Sequence, residues 1–232
     1  MIVGNGMISN KFKLYSNLLE DVIIFASGVS DSNENNPENF IREKELLLKT
    51  IEENKDKKII YFSSVLVNFS EKAYYKHKLE MEKIIESNSI SHIIYRLPQI
   101  VGGDGNKNNI VNYIKNSIIK QNPISIYVDA ERALLDVDDL IQFILFSFNL
   151  INNEVVILSQ IEKIFVTELY DMISYQLKTH TFVTYVSDTF GLDNWDLDNS
   201  KIVDKWLVGV DTYGYTANII QKYIDGNTNW IL

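Results

Sequence analysis

A chain of 232 residues, 46% of them hydrophobic, is long enough to bury one sizeable core, or one core with a small appended lobe. It has no cysteine and three scattered histidines (His77, His92, His180), which excludes a disulfide framework, a thiol nucleophile and a thiolate metal site, so no metal centre is expected. A net charge of -9 removes the footprint of a nucleic-acid binder. No apolar run approaches the ~18 residues of a membrane span, and the start MIVGNG lacks signal-peptide features, so a cytoplasmic globular protein is expected.

In chain order, short β-rich runs alternate with amphipathic stretches: MIV, DVIIFASG (21–28), KIIYFSS (58–64) and SHIIYRL (91–97). Three of these are continuous apolar runs, as strands covered on both faces by helices require. A helix is predicted over 37–54, opened by Asn36-Pro37, with Phe40, Leu47, Leu48 and Ile51 on one stripe. A second is predicted over 71–87 after Ser70, carrying Leu79, Met81, Ile84 and Ile85. Strand and helix alternation implies right-handed crossovers and a doubly wound parallel α/β sheet. Beyond Gly102-Gly103 come a predicted helix at 109–120, a strand near 124–128, an apolar helix at 138–150, a strand at 154–159 and a helix near 166–178. With no linker and no repeat, residues 1–232 are expected to form a single domain whose small lobe is woven from 102–130 and 160–232.

Two constellations carry chemistry. Gly4-Asn5-Gly6-Met7-Ile8-Ser9 follows a strand and opens a helical pattern, so the glycines permit a tight turn and a close approach to a pyrophosphate at a helix N-terminus. Ser9 stands where a third glycine is usual, and for this segment alone an ordinary strand-to-helix turn is an equally good reading. Tyr74 and Lys78 stand four apart on a helix, so they share a face, ten residues after Ser64 at the end of an apolar strand. An ammonium beside a phenol favours the phenolate, and a serine hydroxyl can bond the same substrate oxygen. The competing reading is a solvated surface with Lys72, Lys76 and Lys78 in water.

Taken in order, GNGMIS, DVIIFASG, YFSSVLV, YYKHK, YRLPQIVGG and ERALLDVDDL resemble the extended short-chain dehydrogenase/reductases, in their nucleotide-sugar epimerase/dehydratase/reductase branch; DNSKI (198–202) does so more weakly. The resemblance implies a Rossmann-like fold, NAD or NADP as cofactor and a nucleotide-sugar substrate. It implies catalytic roles for Ser64, Tyr74 and Lys78, with Tyr74 as the proton donor or acceptor. Gly4, Asn5, Gly6, Met7, Ile8, Ser27, Gly28, Lys78 and Pro98 would meet the cofactor, and Ser64, Gln99 and Arg132 the substrate. Gln99 replaces the more usual asparagine, and the lesser alternative for Arg132 is a salt bridge with Glu131 or Asp136.

Two departures stand out. The chain runs from the glycine turn through one short helix straight to DVIIFASG, so the two strands that hold the adenosine end in the family are expected to be missing. Reading DVIIFASG as the second strand, with Asp31 as the ribose-binding acid, would bring the serine strand far too early. With the two strands missing, Lys11 or Lys13 is left to meet an adenosine phosphate. The interval from Ser64 to Tyr74 is also short, implying a trimmed loop. The resemblance further suggests a homodimer through 37–54 and 71–87. Two functions follow as expectations: a reductase or epimerase of a nucleotide-activated sugar, such as a 4-keto-6-deoxy intermediate, in surface polysaccharide biosynthesis, or a degenerate member that binds a nucleotide sugar or a partner protein without redox chemistry.

Overall fold

The computed structural model describes residues 1–102, 109–187 and 197–224. Its first half alternates β1 (Ile2–Val3), α1 (Met7–Phe12), β2 (Val22–Phe25), α2 (Pro37–Glu53), β3 (Lys58–Ser64), α3 (Ala73–Asn88) and β4 (His92–Leu97). There follow β5 (Gln99–Val101), α4 (Ile110–Ile119), β6 (Ile124–Tyr127), β7 (Glu131–Asp136), α5 (Val137–Ser147), β8 (Glu154–Ile157), β9 (Lys163–Phe165), α6 (Val166–Leu177), β10 (Val183–Val186), α7 (Lys201–Leu207) and α8 (Tyr215–Tyr223). The chain divides into two compact units. The first holds β1–β4, β8, α1–α3, α5 and α7, and the second holds β5–β7, β9, β10, α4, α6 and α8.

In the first unit the strands form one parallel sheet in the order β1-β2-β3-β4-β8. Ile23, Ile24, Ile59, Ile60, Ile93 and Ile94 are all essentially inaccessible, because helices cover both faces. Each such side chain contributes about 1.5–3 kcal/mol of burial, an upper bound since the unfolded chain is itself partly collapsed. One face packs Ile23, Phe25, Ile59, Tyr61 and Ile94 against Leu47 and Ile51 of α2 and Met81 and Ile85 of α3. On the other face Phe12 of α1 stacks on Phe62, Phe62 on Tyr95, and Tyr95 meets Phe143 of α5, which packs on Trp206 of α7. Helices thus cover both faces of a parallel α/β sheet of Rossmann-like type, as expected.

Handedness departs from the expectation. The crossovers through α2 and α3 advance along the sheet with their helices on one face. The crossover through α1 advances the same way with its helix on the opposite face, so its hand is opposite to theirs, against the strong preference for right-handed connections. Among the described residues β1 pairs only with β2, and the strand order never reverses. The sheet therefore lacks the reversal point at which open α/β sheets usually seat a dinucleotide.

Local signals explain most boundaries. Asn36 caps α2 by accepting from the Glu38 amide, with Pro37 in the first turn. Leu48 lies outside the buried stripe, 39% exposed, because the inward positions of α2 are those of Glu43, Leu47, Thr50 and Ile51. The third helix opens at Ala73 rather than after Ser70, with Lys72 at its cap. In the second unit β5, β7 and β9 form one sheet, β6 and β10 another, and ERALLD is strand β7. The DNSK segment lies along β8: Ser200 exchanges bonds with Ile157, and Asn199 accepts from the Ser159 amide.

Candidate active site

The carboxyl ends of β1–β4 gather the first unit's sequence-marked residues along one rim of the sheet. Gly4 has φ +126°, and a Cβ there would stand 2.4 Å from the Ala26 carbonyl oxygen, so the turn after β1 admits only glycine. Gly6 caps α1, with open space where a side chain would be, and Met7 and Ile8 form the helix's first turn. Ser9 is fully buried and donates to the Gly6 carbonyl at 2.8 Å, so the residue in place of a third glycine locks the turn. Of the two lysines beside this turn, Lys11 pairs with Asp138 at 2.6 Å and Lys13 donates to Asn10.

Ser64 ends β3, and its oxygen accepts from the Leu66 amide at 3.2 Å, starting the 3-10 turn over Val65–Asn68. Tyr74 lies in the first turn of α3, half-buried, its ring edge-on to Tyr75 at 5.0 Å. One helical turn on, Lys78 points inward, its side chain 7% exposed. The Lys78 ammonium lies 5.8 Å from the Tyr74 ring centre and donates to Tyr61 Oη at 3.0 Å and Glu43 Oε1 at 3.2 Å. It is therefore no member of a solvated lysine face.

Glu43, Tyr61 and His77 complete this cluster, and none of the three was marked by sequence reasoning. Tyr61 donates to Glu43 Oε1, the Val29 amide donates to Oε2 at 3.0 Å, and His77 Nε2 lies 3.2 Å from Oε2 with its ring against Phe40. The signal was present: at 40, 43, 47 and 51 a carboxylate interrupts an apolar stripe, and a buried carboxylate needs a buried cation. Burial would raise the Glu43 carboxyl, but Lys78, His77 and the Val29 amide hold it down to about 2. Burial would lower Lys78, yet the Tyr61 hydroxyl and the Glu43 carboxylate keep it above the ordinary lysine value, while burial pushes the Tyr61 phenol up. Gly28 belongs to the same contact, because a Cβ on it would stand 2.6 Å from Glu43 Oε1.

Ser27 and the buried Pro98 follow β2 and β4 on the same rim. Gln99 and Arg132 lie in the second unit, on β5 and β7. Among the described residues Gln99 Oε1 is buried without a hydrogen bond, and Arg132 donates to the Glu131 carbonyl at 2.6 Å.

No family model and no curated protein matches the chain. Solved structures do. A UDP-N-acetylglucosamine 4-epimerase from Methanobrevibacter ruminantium, in complex with UDP-N-acetylmuramic acid, is 18% identical over 90% of this chain and 77% of its own, with a TM-score of 0.68. RMD from Pseudomonas aeruginosa, complexed with NADPH, is 14% identical over 95% and 97%, with a TM-score of 0.74. The Bordetella bronchiseptica enzyme WbmH, in complex with NAD+, is 13% identical over 97% and 81%, with a TM-score of 0.70. The chain thus has the Rossmann-like fold of these structures.

Proposed function

We propose that this chain binds NAD or NADP along the β1–β4 rim and acts there on a nucleotide-activated sugar, as a reductase or an epimerase. The observation that carries the reading is the gathering of the Gly4 turn, the Ser27-Gly28 turn, Ser64 and Tyr74 at the carboxyl ends of adjacent parallel strands, where α/β sheets bind ligands. The residues fit a dinucleotide: Gly4 has a backbone no side chain could occupy, and Gly6 leaves open space at a helix start. Gly4, Asn5, Gly6, Met7 and Ile8 would hold its phosphates, and Ser27, Gly28, Lys78 and Pro98 its nicotinamide end.

When bound, the nicotinamide gives or takes the hydride. Tyr74 moves the matching proton at its Oη, to or from the sugar oxygen, and Ser64 Oγ donates a hydrogen bond that orients that oxygen. Gln99 and Arg132 are proposed as substrate contacts on the family resemblance alone. A 4-keto-6-deoxy sugar of surface polysaccharide synthesis, a homodimer built on α2 and α3, and a cytoplasmic location complete the proposal; no described helix is long and apolar enough to cross a membrane. The missing strands leave the adenine and its ribose without a wall, so affinity is expected to be weak and to come from the diphosphate and nicotinamide ends.

A second reading, a degenerate binder without redox chemistry, is favoured by the lone edge of β1 and by the pairing of Lys78 with Glu43. Calorimetric titration with NADH and NADPH, with and without nucleotide sugars, separates the two. Weak saturable binding supports the enzyme, and no heat at millimolar cofactor leaves only the binder. In the enzyme, Tyr74→Phe should keep the fold and the cofactor affinity and lose ~10²–10⁴ in rate; unchanged turnover would remove Tyr74 from the mechanism.

A further inference from the structure

We infer that Glu43 is the positioning residue of this rim: one carboxylate fixes both the Lys78 ammonium of the Tyr74 helix and the turn 27–29 that follows β2, so that the two move as one piece. The inference rests on the proposed dinucleotide site, and it assigns a function to a helix that touches no proposed ligand.

Several observations converge on it. Glu43 is 1% exposed at its side chain, and its oxygens are shared among three separate elements. Oε1 takes Lys78 from α3 and Tyr61 from β3; Oε2 takes the Val29 amide from the turn and faces His77 from α3. These groups, with Tyr74 on the far side of Lys78, are the titratable and polar neighbours that face the pair. Gly28 is fitted to the carboxylate so closely that a methyl group would displace it. Burying two charges is unfavourable unless their geometry and hydrogen bonds compensate, and a well-packed apolar pair of the same volume usually holds a helix as firmly. A bare packing role would therefore need no carboxylate. Holding an ammonium in one direction while gripping a backbone amide needs one, because a carboxylate accepts along several directions at once.

A merely structural Glu43 and a positioning Glu43 differ in their pH behaviour. With the pair intact, Lys78 keeps its proton across the neutral range, so the affinity for NADH should be flat between about pH 6 and pH 9. In Glu43→Gln the ammonium is buried without its counter-charge and loses its proton as the pH rises. NADH affinity should then fall about tenfold or more, with the deficit widening toward high pH. A folded Glu43→Gln protein with wild-type affinity, or with the same deficit at every pH, overturns the inference. Should Glu43→Gln fail to fold, Glu43→Gln/Lys78→Met removes both charges together and should recover much of the lost melting temperature; a double variant that unfolds as readily as the single one also overturns it.

If the wild-type chain takes up no NADH at all, the proposed function falls and the positioning claim is judged separately. Hydrogen exchange at the Val29 amide should speed up about tenfold or more in Glu43→Gln, or in the double variant if only that folds. Unchanged protection of Val29 would show that the carboxylate does not hold the turn.

Discussion

Each compact unit buries one carboxylate against a lysine, and the two arrangements serve different ends. In the first unit Glu43 and Lys78 are both inaccessible, at 1% and 7% exposure, and the partners of Glu43 come from β3, α3 and the turn 27–29. In the second unit Asp136, at the end of β7, is equally buried, but its Lys222 partner is 44% exposed. Lys222 and Tyr223 donate to the Asp136 carboxylate, and Tyr215 Oη lies 3.1 Å from the Asp136 amide, all three from α8. One carboxylate binds several elements into a single piece; among the described residues the other fastens one helix. The difference lies in the cation: Lys222 can keep its water when its partner is lost, and Lys78 cannot.

This contrast orders the consequences of breaking each cluster. Glu43→Ala strands a buried ammonium and a backbone amide, so it should cost about 3–5 kcal/mol of stability. Urea titration followed by circular dichroism measures this, and a loss under about 1 kcal/mol would mean that water reaches Lys78 freely. Asp136→Ala should cost about 1–3 kcal/mol, because the Tyr223 hydroxyl loses its acceptor while the lysine hydrates, and the amide at 136 keeps its bond to Tyr215. Its signature is local. Amide exchange should rise across α8 and leave the β1–β4 sheet unchanged, and a loss spread over both units would erase the distinction.

Much of this was legible in the sequence, and what was not has physical reasons. Continuous apolar runs identified the central strands, and Asn36-Pro37 located the start of α2, because double-sided burial and capping act over a few residues. The order of the motifs implied the shortened sheet, and the structure leaves β1 with β2 as its partner. The strands β5, β7 and β9 are short and pair with segments distant in sequence, so no local period announced them. Glu43 was overlooked for a related reason. Its partners lie 14 to 35 residues away, and only the folded chain shows that the charge at position 43 answers the charge at position 78.

The smallest effect, and the sharpest test of the contrast, lies in the pH dependence of stability at its two extremes. The Glu43 carboxyl is held down from 4.5 to about 2, with the favourable partners outweighing burial. Its contribution is therefore fully present above pH 4.5 and is lost as the pH falls toward 2. Tyr223 has the reverse sign. Burial and the nearby Asp136 carboxylate push its phenol up from 10.0 to about 12, so its contribution is whole below pH 10 and is lost as the pH climbs toward 12. Tyr223 is only half-buried, which weakens the alkaline effect relative to the acid one. Melting temperatures taken across both ranges should show a difference between wild type and Glu43→Gln that shrinks only in acid, and a difference between wild type and Tyr223→Phe that shrinks only in base. If both differences instead vanished at the same end of the scale, the two carboxylates would belong to one electrostatic system, and the division of labour between fastening α8 and setting the rim would not hold.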